Sequence, residues 1–479
     1  MRGFLASSIG VTCAAALALP LTPPAAAATA SPAPTADAAT AARPAADADT
    51  AGAPAPRGAG PATPGSTQSL PLEPSARDRA TPSAPATEQV VPRRSVRHFS
   101  LVGVVWDDPA AELHGRVQVR TRAAATGAWS GWHDLETHNT EHAADRDTAE
   151  AASDRVRGAT APLWVGDSDG VELRVRSEAV QEDARQETDA RGVPAALPLP
   201  AGLRLELVDP GEDATSAEGS RTAGAAAESS AAAEAAAANA GLAASGATGI
   251  AALSRAETEQ ELFALAAAGA AGAPRAKPYI GPRPAIVTRR GWGADEGLRE
   301  SGFKYTAKVK AAFVHHTASG NGYSCSQVPS LIRSIYRYHV RSMGWRDIGY
   351  NFVVDKCGKI YEGRAGGVAE PVLGAHTLGF NSNSMGIAVL GTYGSKKPSK
   401  SAVKAVARLS AWKLGLHGMN PKKKTTLTSA GSNLYGKGKK VRLNVISGHR
   451  DGFKTECPGG KLYAKLGSAR SKAAAYQGR

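Results

Sequence analysis

The residues of this chain best suited to chemistry are two imidazoles and a thiolate set far apart. A short apolar run, Phe313-Val314-His315-His316-Thr317, closes on a histidine pair. Far downstream a glycine-rich turn carries Ser447-Gly448-His449-Arg450-Asp451 and then Thr455-Glu456-Cys457-Pro458. One histidine of the pair, His449 and Cys457 make a three-ligand set for a borderline-soft divalent cation, Zn2+ above all. The fourth position is then left for water, which is the coordination of a catalytic rather than a structural centre. Such a centre acidifies water and polarises a carbonyl, and so suits hydrolysis of an unactivated amide. His315 and His316 are adjacent, so on a strand they face opposite ways and only one can join the set. The run before them is apolar on both faces, and periodicity does not choose between them.

The cysteines support this division of labour. Of the four, Cys13 lies in a leader, which leaves Cys325, Cys357 and Cys457. In an oxidising compartment an odd number leaves one thiol over. Cys325 precedes a helix and Cys357 sits in the tight turn Asp355-Lys356-Cys357-Gly358, so these two are expected to form a disulfide. Cys457 is then the spare thiol that metal ligation would protect.

The elements that must position these groups lie in two stretches where bulky apolar residues concentrate. Residues 1–30 have the layout of a secretory signal peptide, which implies a secreted protein. No later segment offers 18 uninterrupted apolar residues, so no integral membrane span is expected. Residues 31–96, rich in Ala, Pro, Thr, Ser and Gly, read as a flexible spacer. Alternating segments at 98–106, 115–120, 170–175 and 203–208 mark half-buried strands, and residues 97–209 read as a small all-β, sandwich-like domain. Trp129 and Trp132 could form a sugar platform there, although packing at a strand turn is the commoner use of such a pair.

Residues 210–282 read as an alanine-rich linker. Residues 283–470 interleave strands (309–316, 351–354, 359–362, 384–391) with helices (328–340, and 399–414 with Ser399 as N-cap), which implies an α/β layered domain, and 471–479 as a tail. Charge is uneven: from residue 281 onward 34 Lys and Arg face 9 Asp and Glu, so this part carries +25 of the total +14 and the remainder −11. An exported basic domain is attracted to a polyanionic surface. Anionic cell-wall polymers are therefore a better expected partner than nucleic acid.

The ordered motifs WGA, VHHT, DIGYNFVVDKCGKIYEGR, GAHTLGFNSNSMGIAVLG, SGHRD and TECPGG resemble the peptidoglycan recognition protein and type 2 amidase family over about residues 285–470. The resemblance implies a central mixed β-sheet flanked by helices and a zinc-dependent N-acetylmuramoyl-L-alanine amidase acting on peptidoglycan. On the family's pattern His315, His449 and Cys457 match the zinc ligands, and Tyr350 the catalytic tyrosine. Thr455 matches a position that holds threonine or lysine and shares the catalytic work. His376 and Asn381, and with them His339 and Trp345, match positions that contact glycan or peptide. Non-catalytic relatives bind wall fragments but typically lack a zinc ligand. Retention of all three, with Tyr350, favours the enzyme over a recognition module.

Overall fold

The computed structural model describes residues 65–79, 87–137, 139–178, 197–212, 229–267 and 279–479. The leader, most of the spacer and parts of the linker lie outside the described residues.

The N-terminal domain is built on six antiparallel strands: β1 (Ser66–Pro71), β2 (Glu88–Trp106), β3 (Gly115–Ala123), β4 (His133–Leu135), β5 (Leu163–Ser177) and β6 (Arg204–Asp209). Their order is β1-β6-β2-β5-β3-β4, with the two-residue strands Glu73–Pro74 and Gly158–Ala159 also paired to β2. Register shifts between β2 and β5 at Val91/Arg94, Ser95/Phe99 and Phe99/Leu101 bend the long strands, as bulges do. Phe99, Val102, Val104 and Trp106 of β2 pack with Val117, Val119, Leu173, Val175, Leu205 and Leu207 as this domain's core.

The spacer expectation is corrected here. Residues 66–71 form β1, hydrogen-bonded along β6, and β2 begins at Glu88. Sequence patterning missed both because β1 is held by backbone ladders around one bulky apolar residue, Leu70. In the first half of β2 only Val91 is buried, and the stretch from Pro92 to Ser95 is exposed, so no alternating period runs through it.

The C-terminal domain has a mixed seven-stranded sheet. It is made from β7 (Ile286–Val287), β8 (Ala311–His316), β9 (Phe352–Val354), β10 (Ile360–Glu362), β11 (Ser384–Val389), and, after the separate hairpin β12 (Lys424–Thr428) and β13 (Lys440–Asn444), β14 (Ile446–Gly448). The order is β14-β8-β11-β9-β10-β7, closed at one edge by Gly249–Ile250. β8 lies between β14 and β11 and runs parallel to both, and β9 and β10 form the antiparallel hairpin. All residues of β8 and β11 are buried, as expected of parallel strands covered on both faces.

The linker and tail expectations are corrected as well. Residues 210–282 include α1 (Ser230–Ala237), the sheet strand Gly249–Ile250, and α2 (Arg255–Ala267). α1 buries only Ala235, and polar contacts fix it instead. Arg299 donates to the Ala231 carbonyl and to Glu234, and Asn239 bridges Glu362 and the Val368 amide, each at 2.8–2.9 Å. Hydrophobic spacing cannot reveal such an anchor.

Helices α3 (Val328–Arg337) and α4 (Lys400–Leu416) cover opposite faces of the sheet, and α5 (Leu466–Tyr476) runs into the expected tail. Small residues let α5 approach α4: Ala469, Ala473 and Ala474 are buried, and the Gln477 amide donates to the Ala411 carbonyl at 2.9 Å. The Ser399 hydroxyl accepts from the Ala402 amide and caps α4. Among the described residues no helix is long and apolar enough to cross a membrane.

The two domains share a core. Leu101, Val105, Ala159 and Val208 of the first pack with Val328, Leu331, Ile332 and Ile335 of α3. Past α3 the chain makes one π-helical turn, Tyr338–Ser342. Tyr338 lays its ring against Gly103, where any side chain would overlap it, and donates its hydroxyl to the Thr160 carbonyl at 3.1 Å. Ser342 donates to Glu206 across the same junction at 2.8 Å.

Candidate metal centre and active site

Three ligand positions sit at the ends of neighbouring elements. Ala311, Phe313 and His315 of β8 share one face, toward Phe380 and Leu427, while Ala312 and Val314 face α4. That alternation puts His315 on the site side. His316 turns away and accepts from the Tyr393 amide at 3.2 Å. β14 ends at Gly448, and Asp451, bonded to the Gly448 amide and to the Tyr463 hydroxyl, fixes the turn that presents His449. Arg450 donates its amide to the Cys457 carbonyl at 3.0 Å and so ties this turn to the third ligand. Cys325 and Cys357 are joined in a disulfide, and Cys457 is a free, buried thiol.

A fourth donor completes the cluster. His142, in the turn Thr140–His142 that follows β4 of the first domain, lies with His315, His449 and Cys457 so that one ligand atom from each falls within 4.8 Å of all the others. Its Nε2 is 3.5 Å from the Cys457 Sγ, and the His315 Nδ1 is 3.8 Å from the same sulfur. The position expected to be open to water thus faces a protein imidazole. Nothing in the sequence marked His142: it stands in a polar stretch without periodicity, and no local motif links it to ligands more than 150 residues away.

The donor set fits zinc. Three imidazole nitrogens and one sulfur are donors of the types and number that zinc takes. Both ring nitrogens of His449 and the Nδ1 of His142 are buried without a hydrogen-bond partner, a costly state that a cation would relieve. Burial, and then the neighbouring imidazoles, hold His315 and His449 well below the ordinary histidine range, and burial takes His142 to about 3. All three are therefore neutral, with lone pairs free to ligate. Burial pushes the Cys457 thiol up, and a bound divalent cation reverses that order by deprotonating a coordinating thiol.

Tyr350 borders the cluster, its ring centroid 5.6 Å from that of His315. Arg289, fully buried, positions the irregular segment before it by pairing with Glu296 and with Asp347, which also accepts from the Ile348 and Ala365 amides. Gly349 is obligatory there, since a side chain would overlap the Ala375 carbonyl and the Trp345 ring. Burial, then the charges of Cys457, Glu141 and Glu136, push the Tyr350 phenol well up, so it keeps its proton as a donor.

Residues 305–460 match the family described as N-acetylmuramoyl-L-alanine amidase. The C-terminal domain belongs to the peptidoglycan recognition protein and type 2 amidase family. Residues 49–195 match a family described as Rv3811 N-terminal galactose-binding domain-like, so the β-domain before the amidase domain is galactose-binding-like in fold. Among relatives, the chain is 28% identical over 181 residues to peptidoglycan-recognition protein SC2 of Drosophila simulans, covering 38% of this chain and 84% of that one. It is 31% identical over 191 residues to the N-acetylmuramoyl-L-alanine amidase of Homo sapiens, covering 38% of this chain and 28% of that one. The solved structure of wild-type Drosophila PGRP-LB is 27% identical, with 38% of this chain and 92% of that one covered and a TM-score of 0.30.

The other positions matched by resemblance to this family fall into two groups. Thr455 and Asn381 reach the cluster's rim, and both bond to the first domain. The Thr455 hydroxyl donates to Glu141 Oε1 at 2.8 Å, and the Asn381 amide donates to the Ala143 carbonyl and to Asp145 at 3.0 and 2.8 Å. His376, His339 and Trp345 are buried supports. His376 backs His315 at 5.2 Å between ring centroids and bonds Thr377 and Ser384. His339 accepts from the Gly349 amide and stacks on Trp345 at 4.6 Å between centroids. In the β-domain, Arg93 lies over Trp129 and Arg174 over Trp132 at 4.4 and 4.2 Å, so a ring face of each tryptophan is taken by a guanidinium.

Proposed function

We propose that this chain is a secreted, zinc-dependent N-acetylmuramoyl-L-alanine amidase that hydrolyses the amide between the lactyl group of N-acetylmuramic acid and the L-alanine of the peptidoglycan stem peptide. The observation that carries it is the buried convergence of His315, His449 and Cys457 beside a protonated Tyr350. His315, His449 and Cys457 would hold the zinc, which when bound supplies Lewis acidity toward water and toward the amide carbonyl. Tyr350 donates a hydrogen bond through its phenolic O–H to the oxyanion that develops on that carbonyl, and Thr455, once released from Glu141, acts as a second donor. His376 and the Arg289–Asp347 pair keep His315 and the segment that carries Tyr350 in place. Peptidoglycan is the partner, with anionic wall polymers attracted by the basic amidase half.

One observation favours a second reading. His142 fills out four protein ligands, the count of a structural metal site, which suits a non-catalytic recognition protein. Release of stem peptide from purified wall by the zinc-loaded protein or by its His142→Ala variant, lost on chelation and regained with zinc, is the expected result. Wall binding without release, both in the natural protein and with His142→Ala, would decide for recognition.

A further inference from the structure

The first domain places more than His142 against the amidase site. Residues 139–157, which lead from the turn after β4 back to Gly158–Ala159, run across the rim of the cluster and pair with the groups a substrate would need. The Leu378 amide donates to the Glu141 carbonyl at 2.9 Å, and the Gly379 amide to Asp145 at 2.7 Å. Asn381 is spent on Ala143 and Asp145, and Thr455 on Glu141. Further along, Glu150 takes a two-pronged bond from the buried Arg364, both contacts at 2.8 Å, and accepts from the Arg346 amide. The Arg157 amide donates to the Met343 carbonyl at 3.1 Å. Carbonyls and carboxylates offered to backbone amides, an asparagine and an arginine are the chemistry of an acidic peptide.

We propose that residues 139–157 are a built-in occupant of the substrate groove, with His142 as the fourth ligand of the metal, so that the folded chain is latent until this segment leaves. The inference rests on the metal reading above. A metal with four protein ligands has no position for water or for a carbonyl oxygen, and a groove whose donors are satisfied internally offers little to a stem peptide. Opening exchanges those bonds for bonds to the wall polymer. The substrate's apparent affinity therefore falls by the fraction of chains that are open. The segment is suited to leave: apart from the short turn Thr140–His142 it has no regular structure, so few backbone bonds resist its release.

The test replaces zinc by cobalt in the full-length protein and titrates azide, a small anion that binds only where a coordination position is free. The absorption spectrum reports both events independently of turnover. The expected result has three parts. Thiolate-to-cobalt absorption appears in the natural protein. Its visible bands ignore azide, and His142→Ala responds at an azide concentration lower by roughly tenfold or more. The double variant Asp145→Ala, Glu150→Ala, which unseats the segment without touching the four donors, is expected to respond in between and carries the test if His142→Ala does not fold. Equal azide responses in the natural protein and the variants would overturn latency while leaving the metal centre standing. Absence of thiolate-to-cobalt absorption would overturn both.

Discussion

The two sides of the histidine–cysteine cluster are made in different ways. His315, His449 and Cys457 stand at the ends of buried parallel strands and a hydrogen-bonded turn, within one domain and backed by a helix-covered sheet. His142 comes from the other domain, on a segment held mainly by side-chain bonds to its host. The rigid side has one arrangement, because moving a ligand there would break sheet and core together. The other side can detach at the expense of a handful of polar contacts that water or substrate can replace. Permanence therefore depends on what supports a residue, not on how near it stands to the centre of the cluster.

The sharpest way to break this comparison is Cys457→Ser. It should abolish stoichiometric zinc and reduce stem-peptide release to background, by elemental analysis and wall hydrolysis; full zinc retention would mean the rigid side is not the anchor. Next, Tyr350→Phe made together with His142→Ala should keep zinc but lower kcat by about 10²–10³ relative to His142→Ala alone, the usual loss of one oxyanion donor. Unchanged kcat would take Tyr350 out of the reaction. Replacing both Cys325 and Cys357 by serine should cost about 2–4 kcal/mol in denaturant unfolding, since the crosslink closes a separation of 32 residues. A smaller loss would mean that the rigid side owes little to its staple. On the β-domain side, Arg174→Ala should cost only about 0.5–1 kcal/mol, the worth of an exposed cation–aromatic contact. If that change instead creates sugar binding at Trp132, the tryptophan pair is a masked platform and not packing.

Most of the amidase domain was legible because its signals are local. The apolar run into His315, the turn around His449 and the helical spacing of α3 all lie within a few residues of what they describe. The resemblance supplied the choice between His315 and His316 that periodicity withheld, and the alternation of β8 gives the same answer by packing. What escaped has one physical cause. β1 is held by backbone ladders, α1 by Asn239 and Arg299, α5 by alanines, and residues 139–157 by carboxylates and carbonyls. None of these writes an apolar period into the sequence. His142 was the costliest omission, since its role exists only once two domains have docked.

The packing of α3 on β2 and β6 carries a practical consequence for anyone who trims the chain. Excising the amidase-family domain at the proline-rich junction near residue 283 would uncover Val328, Leu331, Ile332 and Ile335 and strip away the edge strand at Gly249–Ile250. Such a fragment would meet water with a greasy flank and an unguarded ladder of amides, and is expected to clump in solution even where its pocket is intact.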